Sequence, residues 1–164
     1  MARNICVFAV LVVTSLQSVH GAEIDDLIAR AEKTPRIADK LNPPRSVYND
    51  AGDLIALNLD YVTLTSSDLE LVAQCSSLES LSLTHTNIVD GQLKLLGHFH
   101  RLRSLSLNHT QVSDAGLEQI SRIKTLKSVC LGGVAATPDA VRKLRETIPN
   151  LKVGYFRNPR ATDD

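Results

Sequence analysis

Residues 81–86 read LSLTHT and residues 105–110 read LSLNHT, so His85 and His109 recur 24 positions apart behind the same alternating apolar run. Two imidazoles could share a zinc ion, and a histidine close to a serine could act as a general base. A structural zinc site wants four ligands and a catalytic one three; this column offers only Tyr61 before the pair and Gly133 after it. A serine nucleophile needs a histidine within hydrogen-bond reach and a third group to orient it. Ser106 lies three positions before His109, but alternation along a strand and the turn after it should separate the two side chains. No G-x-S-x-G turn occurs, which removes the usual nucleophile elbow. The acids sit at helix starts and surfaces rather than as the convergent pair a glycosidase needs. His98 and His100 flank Phe99 in another loop, so the four histidines are not expected to meet. The chain is therefore expected to be no enzyme, with no metal site and no cofactor, and the histidines to mark a repeat.

That repeat pervades the chain. An offset of 24 aligns LIALNL (54–59), LESLSL (78–83), LRSLSL (102–107) and LKSVCL (126–131), with NLKVGY (150–155) as an imperfect fifth copy. The alternation is that of a short strand with one face inward. A second block follows each copy, with apolar positions three apart: Leu69 and Val72, Leu93 and Leu96, Leu117 and Ile120. That spacing gives one face of a helix, and the helix supplies the crossover that parallel strands require. Helix starts are legible as a Thr65-x-x-Asp68 capping box, Ser113 before Asp114, and Thr137 before Pro138. Val89 has no capping group, so Asp90 is expected to cap in its place; Asp90 and Asp114 read as capping and dipole residues. Thr86 and Thr110 are expected to fill an inward turn position.

The ends differ from the middle. Residues 1–22 have Arg3, an apolar stretch from Ile5 to Leu16, and small residues before Ala22 or Glu23. This is the layout of a secretory signal peptide, and the stretch is too short to cross a bilayer. Residues 23–45 are read as a helical cap with acids at its start and Lys33 near the end of its first segment, followed by a proline-rich connector at Asn42-Pro43-Pro44. SVY (46–48) and LIALNL should form a hairpin that covers the first repeat. The polar tail 157–164 is expected to be disordered. Removing the signal leaves a net charge of −1, which gives no general attraction for nucleic acid or anionic lipid. Cys75 aligns with Phe99 and Ile123 as a small buried core residue, and Cys130 lies on an outward face. They should sit too far apart to bridge, leaving two free thiols.

The blocks L-x-x-L-x-L and T-x-[IV]-[ST]-D-x-G-L resemble the short-repeat leucine-rich family, in particular its exported bacterial members. Ser113-Asp114-Ala115-Gly116-Leu117 fits that pattern fully, whereas Val89 and Gly91 depart from it. The resemblance covers residues 46–156 and implies an α/β fold: a leucine-rich-repeat solenoid with a short parallel sheet on one face and helices on the other, capped by the N-terminal helix and hairpin. Family members mostly act as protein-binding scaffolds, so it also implies a protein or peptide partner. The signal-like segment and the lack of another long apolar stretch lead us to expect no membrane span after signal cleavage and a secreted or periplasmic, cell-envelope location. Outward strand residues should stack into ladders about 4.8 Å apart. The expected contact face comprises Asp60, Ser80, Ser82, Thr84, Ser104, Ser106, Asn108 and Ser128, with Arg103 and Lys127 at its edge. The competing reading is a structural protein that binds a metal or an envelope polymer through the histidine pair or the hydroxyl ladders. Asn108-His109-Thr110 matches an N-glycosylation acceptor, but its place at a strand end argues against use.

Overall fold

The computed structural model describes residues 18–34 and 45–156. Most of the expected signal segment, the proline-rich connector and the C-terminal tail lie outside the described residues. The core of the fold is one six-stranded sheet in the order β1 (Ser46–Tyr48), β2 (Leu54–Asn58), β3 (Ser80–Ser82), β4 (Ser104–Ser106), β5 (Ser128–Cys130) and β6 (Lys152–Gly154). β1 runs antiparallel to β2, forming the expected hairpin, and β2 to β6 are parallel. The register follows the sequence offset, so that Leu57, Leu81, Leu105, Val129 and Val153 stand side by side. Leu57, Leu81, Leu105 and Val129 are almost wholly buried, against the helices that return the chain: α2 (Ser66–Gln74), α3 (Asp90–Leu93) continued by a 3-10 turn (Lys94–His98), α4 (Asp114–Ile120) and α5 (Pro138–Thr147). The result is a mixed α/β, leucine-rich-repeat-like fold.

Three helix starts behave as the sequence indicates. Thr65 and Asp68 form a reciprocal capping box, and Ser113 and Thr137 accept from Ala115 and Ala140. Asp90 does not cap its own helix. Val89 occupies the cap position, and its N–H donates to the Gln92 side chain at 3.0 Å. Asp90 instead accepts from the N–H and hydroxyl of Ser113, at 2.8 and 2.6 Å. Asp114 does the same for Thr137 at 2.6 and 2.8 Å. The stacking of repeats puts the next cap closer to each carboxylate than its own helix start, so these acids join repeats. Asn87 bridges in the other direction, with its amide bonded to both N–H and C=O of Leu64. Thr86 and Thr110 are buried and donate to Leu83 and Leu107 at 2.7 Å.

The ends depart further from expectation. α1 spans Ser18–Lys33, starting before Ala22, because nothing from Ser18 to Glu23 breaks the ladder except the modest propensity cost of Gly21, about 1 kcal/mol. Glu23, Asp25 and Asp26 consequently fall outside its first turn. Arg30 on α1 meets Asp68 on α2 at 2.7 Å. Burial alone would raise the Asp68 carboxyl, but the Arg30 guanidinium and the two Thr65 donors outweigh it and hold the group below its ordinary value. Arg45, which sequence reasoning passed over, is buried; its guanidinium donates to the carbonyls of Thr34, just past α1, and of Asp60. A cation at a helix C-terminus is favoured by the dipole. At the other end Arg145 donates to Val153 O at 3.1 Å and so covers part of the β6 edge. Cys75 is half-buried rather than buried, since it lines a 350 Å³ cavity under the hairpin; burial nonetheless pushes its thiol up. Both cysteines are free.

Gly116 provides a sharp test of the stacking. Glycine to alanine inside a helix ordinarily gains about 1 kcal/mol. Here a Cβ would press into the Asp90 carboxylate and meet Val112 Cγ1 at 2.7 Å and Leu93 Cδ1 at 2.9 Å. Gly116→Ala should therefore lose on the order of 1–3 kcal/mol in urea unfolding. A stabilised variant would show that the α3–α4 junction is looser than described.

Candidate functional site

The outward residues of the sheet form the columns that the offset implies. Ala56, Ser80, Ser104, Ser128 and Lys152 are one row, and Asn58, Ser82, Ser106, Cys130 and Gly154 the next. A third row, Asp60, Thr84, Asn108, Gly132 and Phe156, follows at the strand ends. All eight face residues other than Arg103 and Lys127 are half-buried, while those two are exposed at the strand starts. Their side chains bond to one another along the face. Asp60 Oδ1 accepts from Ser82 Oγ at 2.5 Å and from Thr84 N at 2.9 Å. Thr84 and Ser106 share a hydroxyl bond at 2.8 Å, and Asn108 donates to Ser106 and accepts from Gly132 N at 2.7 Å. Ser128 donates to Ser104 at 3.2 Å. Fixed in this way, the hydroxyls form a level polar surface that needs little further ordering on contact, which lowers the entropy cost of association.

A column of rings borders this surface. Tyr61 stacks on His85 with centroids 4.6 Å apart, and His85 on His109 at 4.3 Å. Phe156 meets His109 edge-on at 6.0 Å. Tyr61, His85 and His109 have φ of 65°, 56° and 55°, and Gly133 completes the series at 70°. The turn after each strand thus requires a left-handed residue, a conformation costing about 1–2 kcal/mol for most side chains. Histidine is enriched there, and stacked rings return roughly 0.5–1.5 kcal/mol. Gly132 and Gly133 have no side chain where Phe156 and His109 crowd in: a Cβ on Gly133 would lie 2.6 Å from His109 Nδ1.

The rings are only 13° from parallel. Imidazole lone pairs lie in the ring plane, so here they run side by side and do not converge on one ion at the roughly 2.0–2.1 Å that zinc requires. Among the described residues no three His, Cys, Asp or Glu gather as a metal site. Ser106 bonds to Thr84 and Asn108, while the His109 ring faces His85 and Phe156. His98 and His100 are exposed in their own loop. Of the face residues, the structure brings together Asp60, Ser82, Thr84, Ser106 and Asn108 in one chain of bonds; Arg103 and Lys127 stand apart from it. The stacking of the rings escaped the sequence reading, although the shared offset of Tyr61, His85 and His109 was its signal.

Burial, together with repulsion from His109, lowers the His85 value, with Asp60 opposing. The folded state then resists protonation more than the unfolded chain does. Stability is full above the ordinary histidine value of about 6.5 and is lost as pH falls through it towards the lower folded value. The melting temperature should drop between about pH 7.5 and 5.5. His85→Asn, which tolerates the left-handed turn, should flatten that drop; an equally steep profile in the variant would place its origin elsewhere.

No family model matches the chain, and no curated protein matches it. Solved structures are similar to it in shape. A chain of the Chaetomium Mex67:Mtr2 subunits is 16% identical with a TM-score of 0.51, over 90% of this chain and 96% of that one. The PEPR1–AtPEP1 structure is 16% identical with a TM-score of 0.47, over 85% of this chain. An internalin (inlF) from Listeria monocytogenes is 17% identical with a TM-score of 0.42, over 63% of this chain. The match spans 25% of the PEPR1 chain and 41% of the internalin. At such identities the likeness to the Chaetomium chain is one of fold alone.

Proposed function

We propose that this chain is an exported, non-catalytic binding module, a leucine-rich-repeat solenoid that engages a protein or peptide through its strand face. The observation that carries this reading is the level row of half-exposed serines, Thr84 and Asn108 along β3 to β5, most of them held in place by bonds among themselves. Hydroxyls committed to one another are poor nucleophiles without a base, and the histidines are occupied in ring stacking; both features favour contact over catalysis. Among the described residues the face is the level outer surface of the sheet, and an extended partner suits such a surface better than a small molecule, which usually takes a concave pocket. Export rests on the signal-like pattern of residues 1–22. Cleavage before Ala22 or Glu23 would also leave Glu23, Asp25 and Asp26 in the first turn of α1, where the dipole favours acids.

Affinity-tagged chain, recovered with its cross-linked neighbours, tests both parts. Parent and Glu118→Arg, on the exposed side of α4, should recover the same partner, whereas Ser104→Arg should lose it with an unchanged melting curve. Identical recovery by all three would remove the strand face as the site. N-terminal sequencing should find the exported chain beginning at Ala22 or Glu23; an intact Met1 in the cytoplasm would remove export.

A further inference from the structure

The chain as a whole carries 18 basic and 18 acidic residues, and five of the basic ones gather at one edge of the sheet. Arg101 and Arg103 lie in the loop that enters β4, and Arg122, Lys124 and Lys127 in the equivalent loop entering β5; all five are exposed. The loops are packed side by side, since Thr125 Oγ1 donates to Leu102 O at 2.7 Å and Lys127 N to Arg103 O at 2.8 Å. His98 and His100, also exposed, extend the first loop. Among the described residues Glu79 lies 3.7 Å from Arg103, in the preceding repeat, and exposed Glu118 stands on α4 four residues before Arg122. Most other acids lie elsewhere: Glu23, Asp25, Asp26 and Glu32 on α1, and Asp90 and Asp114 at the opposite, strand-to-helix turns. Arg103 and Lys127 stand in register on neighbouring strands, at a spacing of about 5 Å that falls inside one screening length of roughly 8–10 Å, and the other three cations share their two loops. Such a cluster carries self-repulsion that an anionic ligand relieves.

With the partner-binding role above as its premise, we propose that this edge receives an acidic segment of the partner polypeptide while the adjoining serine row contacts its backbone. Glu79 flanks the footprint on one side. On the other, Lys124 reaches Thr147 O at 3.4 Å, next to Glu146, which stands at the repeat offset from Arg122, so the footprint accepts a short run of carboxylates. A long uniform polyanion would have to run past those acids. Nucleic acid fits poorly for a second reason: Phe99 is buried, which leaves only the small rings of His98 and His100 in these loops for base stacking.

The probe is a fluorescein-labelled ten-residue oligoglutamate, followed by anisotropy against the full chain at about 50 mM salt and again at about 0.5 M. Saturable binding is expected that weakens with salt and falls at least about tenfold in Arg101→Glu with Lys124→Glu. The control Lys33→Glu with Lys143→Glu changes the net charge by the same amount on α1 and α5, and should bind within about twofold of the parent. Equal weakening in both double variants, or none in the first, would overturn the proposal. So would tighter binding of vesicles with about 30% phosphatidylserine, or of a thymidine decamer, than of oligoglutamate. Saturable, edge-dependent oligoglutamate binding alongside a failed strand-face capture would sink the role proposed above and still support the edge. A captured partner with no oligoglutamate binding would sink the edge alone.

Discussion

Everything in this structure depends on one constraint: each parallel strand completes its hydrogen bonds, and buries its leucines, only with the strand 24 residues away. Leu59, Leu83, Leu107 and Leu131 each donate to the next strand, to the carbonyls of Ser82, Ser106, Cys130 and Gly154. Tyr61, His85, His109 and Gly133 repeat the bond one turn later, to Thr84, Asn108, Gly132 and Phe156. A single repeat has one inward face and no second layer to cover it, so it cannot be stable alone. Loss of the spacing by one residue would turn the apolar face outward. The left-handed turn, the buried Thr86 and Thr110, and the ring column all follow from holding that register.

Polar side chains do the remaining joining. Asp60, Asn87, Asp90, Asn108 and Asp114 each reach a backbone N–H in a neighbouring repeat. A carboxylate accepting from backbone N–H makes a charge-assisted bond, stronger than a neutral one. Two of these acceptors, Asp60 and Asn108, also order the hydroxyls of the strand face. The features that stabilise the stack and those that make its face level are therefore the same bonds. The basic edge is different in kind, since its side chains contribute little to packing.

The ends of the sheet pose a separate problem, because a strand edge with unpaired backbone groups invites further pairing. At the N-terminal end the antiparallel β1, α1 and the buried Arg45 cover the first repeat. At the C-terminal end the three-residue β6 is partly closed by Arg145, and Tyr155 OH donates to Ala136 O at 2.9 Å. These capping contacts occur once each, so no periodicity announces them.

The sequence by itself determined what repeats: the strand and helix positions, the hairpin, the inward leucines, three helix caps and the rows of the outer face. Period-two and helical spacing are local properties, and self-alignment shows them directly. It also placed His85 and His109 in one column. Only the tertiary structure decided that their rings stack face to face, that Asp90 and Asp114 serve the following repeat, that Arg45 is buried, and that Arg30 on α1 pairs with Asp68. It also showed the basic loops packed against each other. Each of these depends on a distance between residues far apart in the chain, which composition and spacing do not contain until the repeats are brought into contact.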